Sequence, residues 1–220
     1  MAGDLTVNRV QLGDSTTAAN NFVWQTNTDG TAKLARGNVG ATTQDILTVD
    51  ANGLITFSQG KQLTLGTAQN TTSGTSIDFT GIPSWVKRIT VIFNGVSTNG
   101  TSTPQIQIGS GSIVTSGYVS GANAITNSVT GGTNFSSGFG FFNSAAAAAA
   151  NTIYGHFVLT LISSNTWIAS FVLNVNQTSW YQTQGGGVIA LGGTLDRLRL
   201  TNANGTDTFD AGSVNIMYEG

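Results

Sequence analysis

The chain has 220 residues, with 29 glycines and two prolines, a length that allows one sizeable domain plus an appendage. Eight Lys and Arg against ten Asp and Glu leave a net charge of −2, which gives no electrostatic attraction to nucleic acid or to an acidic membrane. Cysteine is absent, which excludes disulfides and zinc–thiolate sites. No apolar run approaches the ~20 residues of a transmembrane helix.

The first residues, Met1-Ala2-Gly3-Asp4-Leu5, carry a negative charge and no hydrophobic segment. They do not read as a secretory signal, so we expect a protein made in a cytoplasm without an export address. Charged residues make up only 8% of the chain, against about a quarter in ordinary globular domains. From Ile89 to Leu195 there is no Asp, Glu, Lys or Arg at all, and His156 is the only histidine. Solubility there must come from Ser, Thr, Asn and Gln. The abundance of Ile, Val and Phe argues against disorder.

Half of the charged residues fall before residue 70, within a region that holds two turn-marked hairpins. Phe22-Val23-Trp24-Gln25-Thr26 turns at Asn27-Thr28-Asp29-Gly30 and returns through Ala32-Lys33-Leu34-Ala35. Ile46-Leu47-Thr48-Val49 turns at Asp50-Ala51-Asn52-Gly53 and returns through Leu54-Ile55-Thr56-Phe57. Asp-Gly and Asn-Gly supply the positive φ that such turns need. Two hairpins in series are too small to bury a core of their own, so Trp24, Leu47, Ile55 and Phe57 are expected to be covered by identical copies of the chain. We assign 1–65 to an attachment or shaft region, 66–75 (polar and apolar-poor) to a linker, and 76–220 to a C-terminal domain.

That domain reads as strand nearly throughout. Lys87 to Phe93 and Gln105 to Ile108 alternate polar and apolar residues, and Ile153 to Ile162 with Trp167 to Val175 flank the turn Ser163-Ser164-Asn165-Thr166. These last two runs predict a long hairpin. The six alanines 145–150 are too few for a stable helix, and read either as a stretch where two backbones approach closely or as a short helical turn. Gly185-Gly186-Gly187 reads as a flexible loop entering a strand. Ser213 to Tyr218 alternates as a last strand. The fold class is therefore all-β: an extended N-terminal hairpin arm followed by a C-terminal antiparallel β-sandwich.

Leu5 to Asp14, Phe22 to Asn27 and Thr48 to Gly53 resemble the N-terminal regions of tailed-bacteriophage tail-fibre proteins. Ser76-Ile77-Asp78-Phe79-Thr80-Gly81-Ile82-Pro83-Ser84-Trp85-Val86-Lys87-Arg88-Ile89-Thr90-Val91 is similar to a module near the C-termini of such fibres, as is the ending Gly212 to Glu219. The resemblance implies a homotrimer located on the virion, joined by its N-terminal arm to other virion proteins of tail or capsid and contacting the host surface. A head fibre or capsid decoration protein built from the same modules is the alternative.

Enzymatic chemistry finds little to work with. A glycosidase needs two carboxylates flanking the scissile bond, about 5–10 Å apart. Beyond the linker there are only Asp78, Asp196, Asp207, Asp210 and Glu219. Asp196 stands beside Arg197 and close to Arg199, as in a surface ion pair. Asp207 and Asp210 lie in an Asn/Asp-rich loop, read as turn hydrogen bonding, with a bound Ca²⁺ as the sharper alternative. His156 reads as a structural histidine on a strand face. We expect no catalytic residue, no cofactor and no metal. Binding fits the composition better. Trp180, Tyr181 and Gln182, in what reads as a polar loop from Asn176 to Gln184, are the first candidates for stacking on a neutral host-surface glycan, unless Trp180 is covered by a neighbouring subunit. Tyr118 is the second candidate.

Overall fold

The computed structural model describes residues 9–17, 20–38, 41–57, 63–125, 132–142 and 146–220. The chain divides into two compact units, Met1–Gln62 and Leu63–Gly220. Both are all-β with antiparallel sheets, and the described residues hold no α-helix. None of their elements is a helix long and apolar enough to cross a membrane.

In the first unit, strands β1 (Arg9–Leu12), β2 (Phe22–Thr26), β3 (Ala32–Asn38), β4 (Ala41–Val49) and β5 (Ile55–Phe57) follow one another as a five-stranded meander. Its two signature turns close as their residues dictate. Asp29 Oδ1 accepts from the amide and hydroxyl of Thr31, and Asp50 Oδ1 accepts from the amides of Asn52 and Leu54. Gly30 and Gly53 take the positive φ of 84° and 83° that costs a glycine nothing.

The register of this sheet aligns Val10, Trp24, Leu34, Leu47 and Phe57 directly opposite one another across all five strands. Directly opposed residues share a face, so this is one apolar row. Val49 faces Ile55 two residues further along the same face. Trp24, Ile55 and Phe57 are exposed, as are Val10 and Leu12. The other face carries the Lys33–Asp45 ion pair at 3.0 Å, beside the fully buried pair Val23 and Ala35.

The second unit is β-sandwich-like. Its smaller sheet runs β11 (Ser112–Ile113), β10 (Pro104–Ser110), β18 (Arg197–Asn202), β8 (Ser76–Thr80), with β14 (Phe139–Gly140) also on β10. The larger runs β13 (Thr133–Phe135), β12 (Val119–Ile125), β17 (Trp180–Ala190), β16 (Thr166–Asn176), β15 (Thr152–Ser163), β9 (Arg88–Thr98), β19 (Phe209–Glu219), β6 (Thr64–Leu65), with β7 (Gln69–Asn70) also on β19. Strand alternation sends Ile77, Phe79, Ile106, Ile108, Leu198 and Leu200 of the small sheet into one core with Val91, Phe93, Phe157, Leu173 and Ile216 of the large one. Its centre is aromatic. Phe157 stacks on Phe171 at 5.4 Å between ring centroids and meets Phe139 and Phe141 at 5.8 and 5.9 Å.

The hairpin expected at 153–175 is β15 and β16, with a bulge at Leu161/Ser163 and Ser164 at φ 45° in its turn. Three expectations are corrected. Residues 66–75 do not form a free linker. Gly66 donates to Ile216 O, β7 pairs with β19, and the buried Thr71 donates its hydroxyl to Ala211 O. Polar residues follow this path because an edge strand satisfies its backbone through the ladder, whatever its side chains. The glycines 185–187 lie inside β17, not in a loop. The segment 176–184 is also no open loop, since only Gln177 to Ser179 lie between β16 and β17. Of the alanine run, 146–150 form a turn closed by Asn151, whose amide nitrogen donates to Ala148 O and whose side chain donates to Ala146 O.

Candidate functional site

The outer face of the large sheet is assembled from even-numbered positions of β15, β16 and β17. The register lines up Tyr154, Asn174, Gln182 and Ile125 in one row and His156, Val172, Gln184 and Asn123 in the next. A third row runs Val158, Ser170, Gly186, Gly121, Asn134. The third row therefore lacks a side chain on two adjacent strands. With strands ~4.8 Å apart, Ser170 and Asn134 bound a gap about 14 Å wide. A trough of about 810 Å³ opens there, lined by Asn123, Asn134, His156, Ser170, Val172 and Gln184 among others, and by no charged side chain among the described residues.

The side chains of Asn123, Asn134, His156, Ser170 and Gln184 make no hydrogen bond to another described residue. A second hollow of about 520 Å³, lined by residues 118–121 and 134–136, shares Gly121 and Asn134 with the first. Ser120 lines it, 7% exposed, with a hydroxyl that has no hydrogen-bond partner.

The residues expected to bind ligand are separated by the pleat. Trp180 opens β17 on the outer face, 62% exposed, and packs against Tyr154 with ring centroids 5.4 Å apart. Gln182 shares that face and donates to Asn174 Oδ1. Tyr181, one residue on, points the other way: it packs on the core and donates its hydroxyl to Ala146 O. Burial raises its pKa above the usual phenol value. The pairing of Trp180 with Tyr181 in one stacking site is thus corrected, because neighbours on a strand face opposite sides.

Tyr118 is also corrected. It is 3% exposed, packs edge-on against Phe139 at 4.9 Å, and accepts from Ile108 N at 2.8 Å. Its hydroxyl has two carbonyls within reach, Val114 O at 3.0 Å and Ile108 O at 3.3 Å. A ring so enclosed presents no face to a ligand, and burial pushes its pKa up to about 12.

Four of the five acidic side chains beyond residue 75 are engaged structurally. Asp78 receives both Nε and Nη2 of Arg199 at 2.7 Å. Asp196 receives Arg197 and the amide of Gly111, and the Arg197 hydrogen bond holds it below the usual carboxylate range. Glu219 pairs with Arg88 at 3.3 Å. Asp207 accepts from the Ser102 amide and from Asn204 Nδ2, so it ties two loops together, while Asp210 stands exposed at the start of β19. No group of three or more His, Cys, Asp or Glu among the described residues is placed to hold a metal.

Sequence reasoning missed the trough. The even-numbered run Gln182, Gln184, Gly186 is visible as a strand face, but its partners Asn123, His156 and Ser170 come from three other strands. No protein-family model matches this sequence, and no curated protein matches it significantly.

Proposed function

We propose that this protein is a non-enzymatic structural subunit of a bacteriophage particle, a trimeric tail-fibre protein. Its N-terminal unit assembles and attaches to other virion proteins, and its C-terminal unit contacts a neutral glycan of the host surface. The observation that carries the reading is the apolar row Val10, Trp24, Leu34, Leu47, Phe57 with Ile55 beside it. A five-stranded meander with an exposed apolar face is a surface made to be covered, and closed symmetry among identical copies covers it economically. The C-terminal unit supports the second half. Its large sheet is neutral over a wide outer face, and Asp78, Asp196, Asp207 and Glu219 are held by arginines or by loop amides, with Asp210 alone of its acidic side chains exposed without such a partner.

The full chain should sediment as a single trimeric species. Antibody against the chain, imaged on particles, should label the tail. Label confined to the capsid would convert the assignment to a head fibre or decoration protein. A monomer at micromolar concentration, with unlabelled particles, would remove the fibre reading altogether.

A further inference from the structure

We infer that the trough on the outer face of the large sheet is a binding site for a neutral oligosaccharide. The inference deepens the reading above, from which it takes the kind of partner; the site itself comes from the geometry.

The shape follows from glycine. Gly121 and Gly186 leave two adjacent strands bare between Ser170 and Asn134, so a flat ring can lie on peptide backbone between polar walls. The chemistry of the walls selects the ring. Asn123, Asn134 and Gln184 each offer a carbonyl acceptor and an amide donor, and His156 adds two ring nitrogens. Sugar hydroxyls are likewise donors and acceptors at once, so such walls match them without any charge. A phosphate or uronate would ask for Arg or Lys, and the trough has neither among the described residues.

The length favours an oligosaccharide over a single sugar. From Trp180 to Gly186 along β17 is about 20 Å at ~3.3 Å per residue. Trp180 and Tyr154 stand at one end, where an aromatic face stacks on the apolar face of a pyranose. Val172, exposed mid-sheet, supplies an apolar step between that platform and the trough.

Saturation-transfer NMR on the full-length protein with cellotetraose, maltotetraose and mannotetraose, and with a glucuronate-containing tetrasaccharide as charged comparator, tests this. Transfer to at least one neutral tetrasaccharide is expected, with affinity at least tenfold weaker in the double variant Asn123→Ala/Gln184→Ala and lost in Gly121→Val, which fills the floor. The double variant should keep the wild-type melting temperature and oligomeric mass, because the two amides bond nothing else in the described fold, and Gly121→Val should keep the oligomeric mass, because a Cβ at Gly121 meets only ordinary contacts. No transfer to any neutral tetrasaccharide, transfer untouched by the double variant, or preference for the acidic sugar would each overturn the site. Dissociation of the oligomer in the double variant would overturn it too, by showing a face buried between copies. Transfer that survives the double variant but is lost in Trp180→Ala would leave a glycan-binding fibre with its site elsewhere. A trimer located on the particle tail but blind to these sugars would sink the trough and not the fibre.

Discussion

Gly186 faces Gly121 across β17 and β12, and the two positions exclude side chains to very different degrees. A Cβ at Gly186 would lie 2.4 Å from the carbonyl oxygen of Ala169 on β16, whereas one at Gly121 would meet Thr133 O at 3.4 Å and Asn134 Oδ1 at 3.5 Å. Backbone cannot yield as a side-chain tip can. Gly186→Ala should therefore cost about 1–3 kcal/mol, the usual range for forcing atoms into a packed site. Gly121→Ala should stay within about 0.5 kcal/mol of wild type. Urea unfolding of the two variants checks this, and equal losses would show that Gly186 is not under the stated constraint.

Tyr118 links pH to stability. Its pKa rises from 10.0 to about 12 because the fold buries it. Above pH 10 the unfolded chain loses that proton and the folded chain keeps it, so stability falls as pH rises from about 10 to about 12. Two units correspond to a loss on the order of 3 kcal/mol. Tyr118→Phe should lose about 1–3 kcal/mol at neutral pH, because the Ile108 amide is left without its acceptor. It should also flatten this alkaline decline. Unfolding followed from pH 8 to 11.5 separates the two effects, and an unchanged slope in the variant would place the alkaline sensitivity elsewhere.

At the acid end, Asp196 works in the opposite sense. Its hydrogen bond from Arg197 lowers its folded pKa below the ordinary 3.8. Its contribution is complete above that value and disappears as pH falls through the folded pKa. The group is exposed to solvent and screened by it, so Asp196→Asn should shift the acid midpoint slightly and leave neutral stability almost unchanged. A large neutral loss would mean that the Gly111 amide, its other donor, matters more than the arginine.

In the N-terminal sheet, Ile55→Asp and Trp24→Ser place a charge or a hydroxyl on the exposed apolar row without touching the turn residues. Light scattering should show trimers giving way to smaller species, with the change steeper for Ile55→Asp. Unchanged trimers in both variants would move self-association to another surface.

The sequence made strands and turns legible wherever local chemistry decides them. Asp29-Gly30 and Asp50 with Gly53 close the N-terminal hairpins, and the Trp167 to Val175 run carries the hairpin with 153–162. It did not make sheet order legible. Nothing local tells that β12 lies beside β17, some sixty residues away, so Gly121 and Gly186 could not be seen as one gap. The glycine triplet reads as a loop in the sequence because glycine weakens strands. In the fold, Gly185 admits the Phe171 ring, whose Cζ would lie 2.6 Å from a Cβ there. Likewise nothing local shows that β10 closes over Tyr118, and Tyr181 loses its place beside Trp180 through the pleat alone.

The neutrality of the outer face fixes how binding responds to salt. The rows through Tyr154, His156 and Val158 hold no Asp, Glu, Lys or Arg from β15 to β13, and the Arg88–Glu219 ion pair lies on the next two strands toward the opposite edge, β9 and β19. Attraction between opposite charges weakens as the Debye length falls from about 10 Å at 0.1 M toward about 3 Å at 1 M, whereas ring stacking and neutral hydrogen bonds do not depend on it. Adsorption of particles to host cells should therefore change less than about twofold between 0.05 and 0.5 M salt. Trp180→Ala should weaken it about 5- to 100-fold, the equivalent of 1–3 kcal/mol for a lost stacking partner, provided the variant stays trimeric. A steep fall with salt would shift attention to Arg197 and Arg199, which line a separate hollow of about 340 Å³ with Asp78 on the small sheet. Weakening by salt together with an unaffected Trp180→Ala would place host contact on that sheet and leave the trough without a part in adsorption.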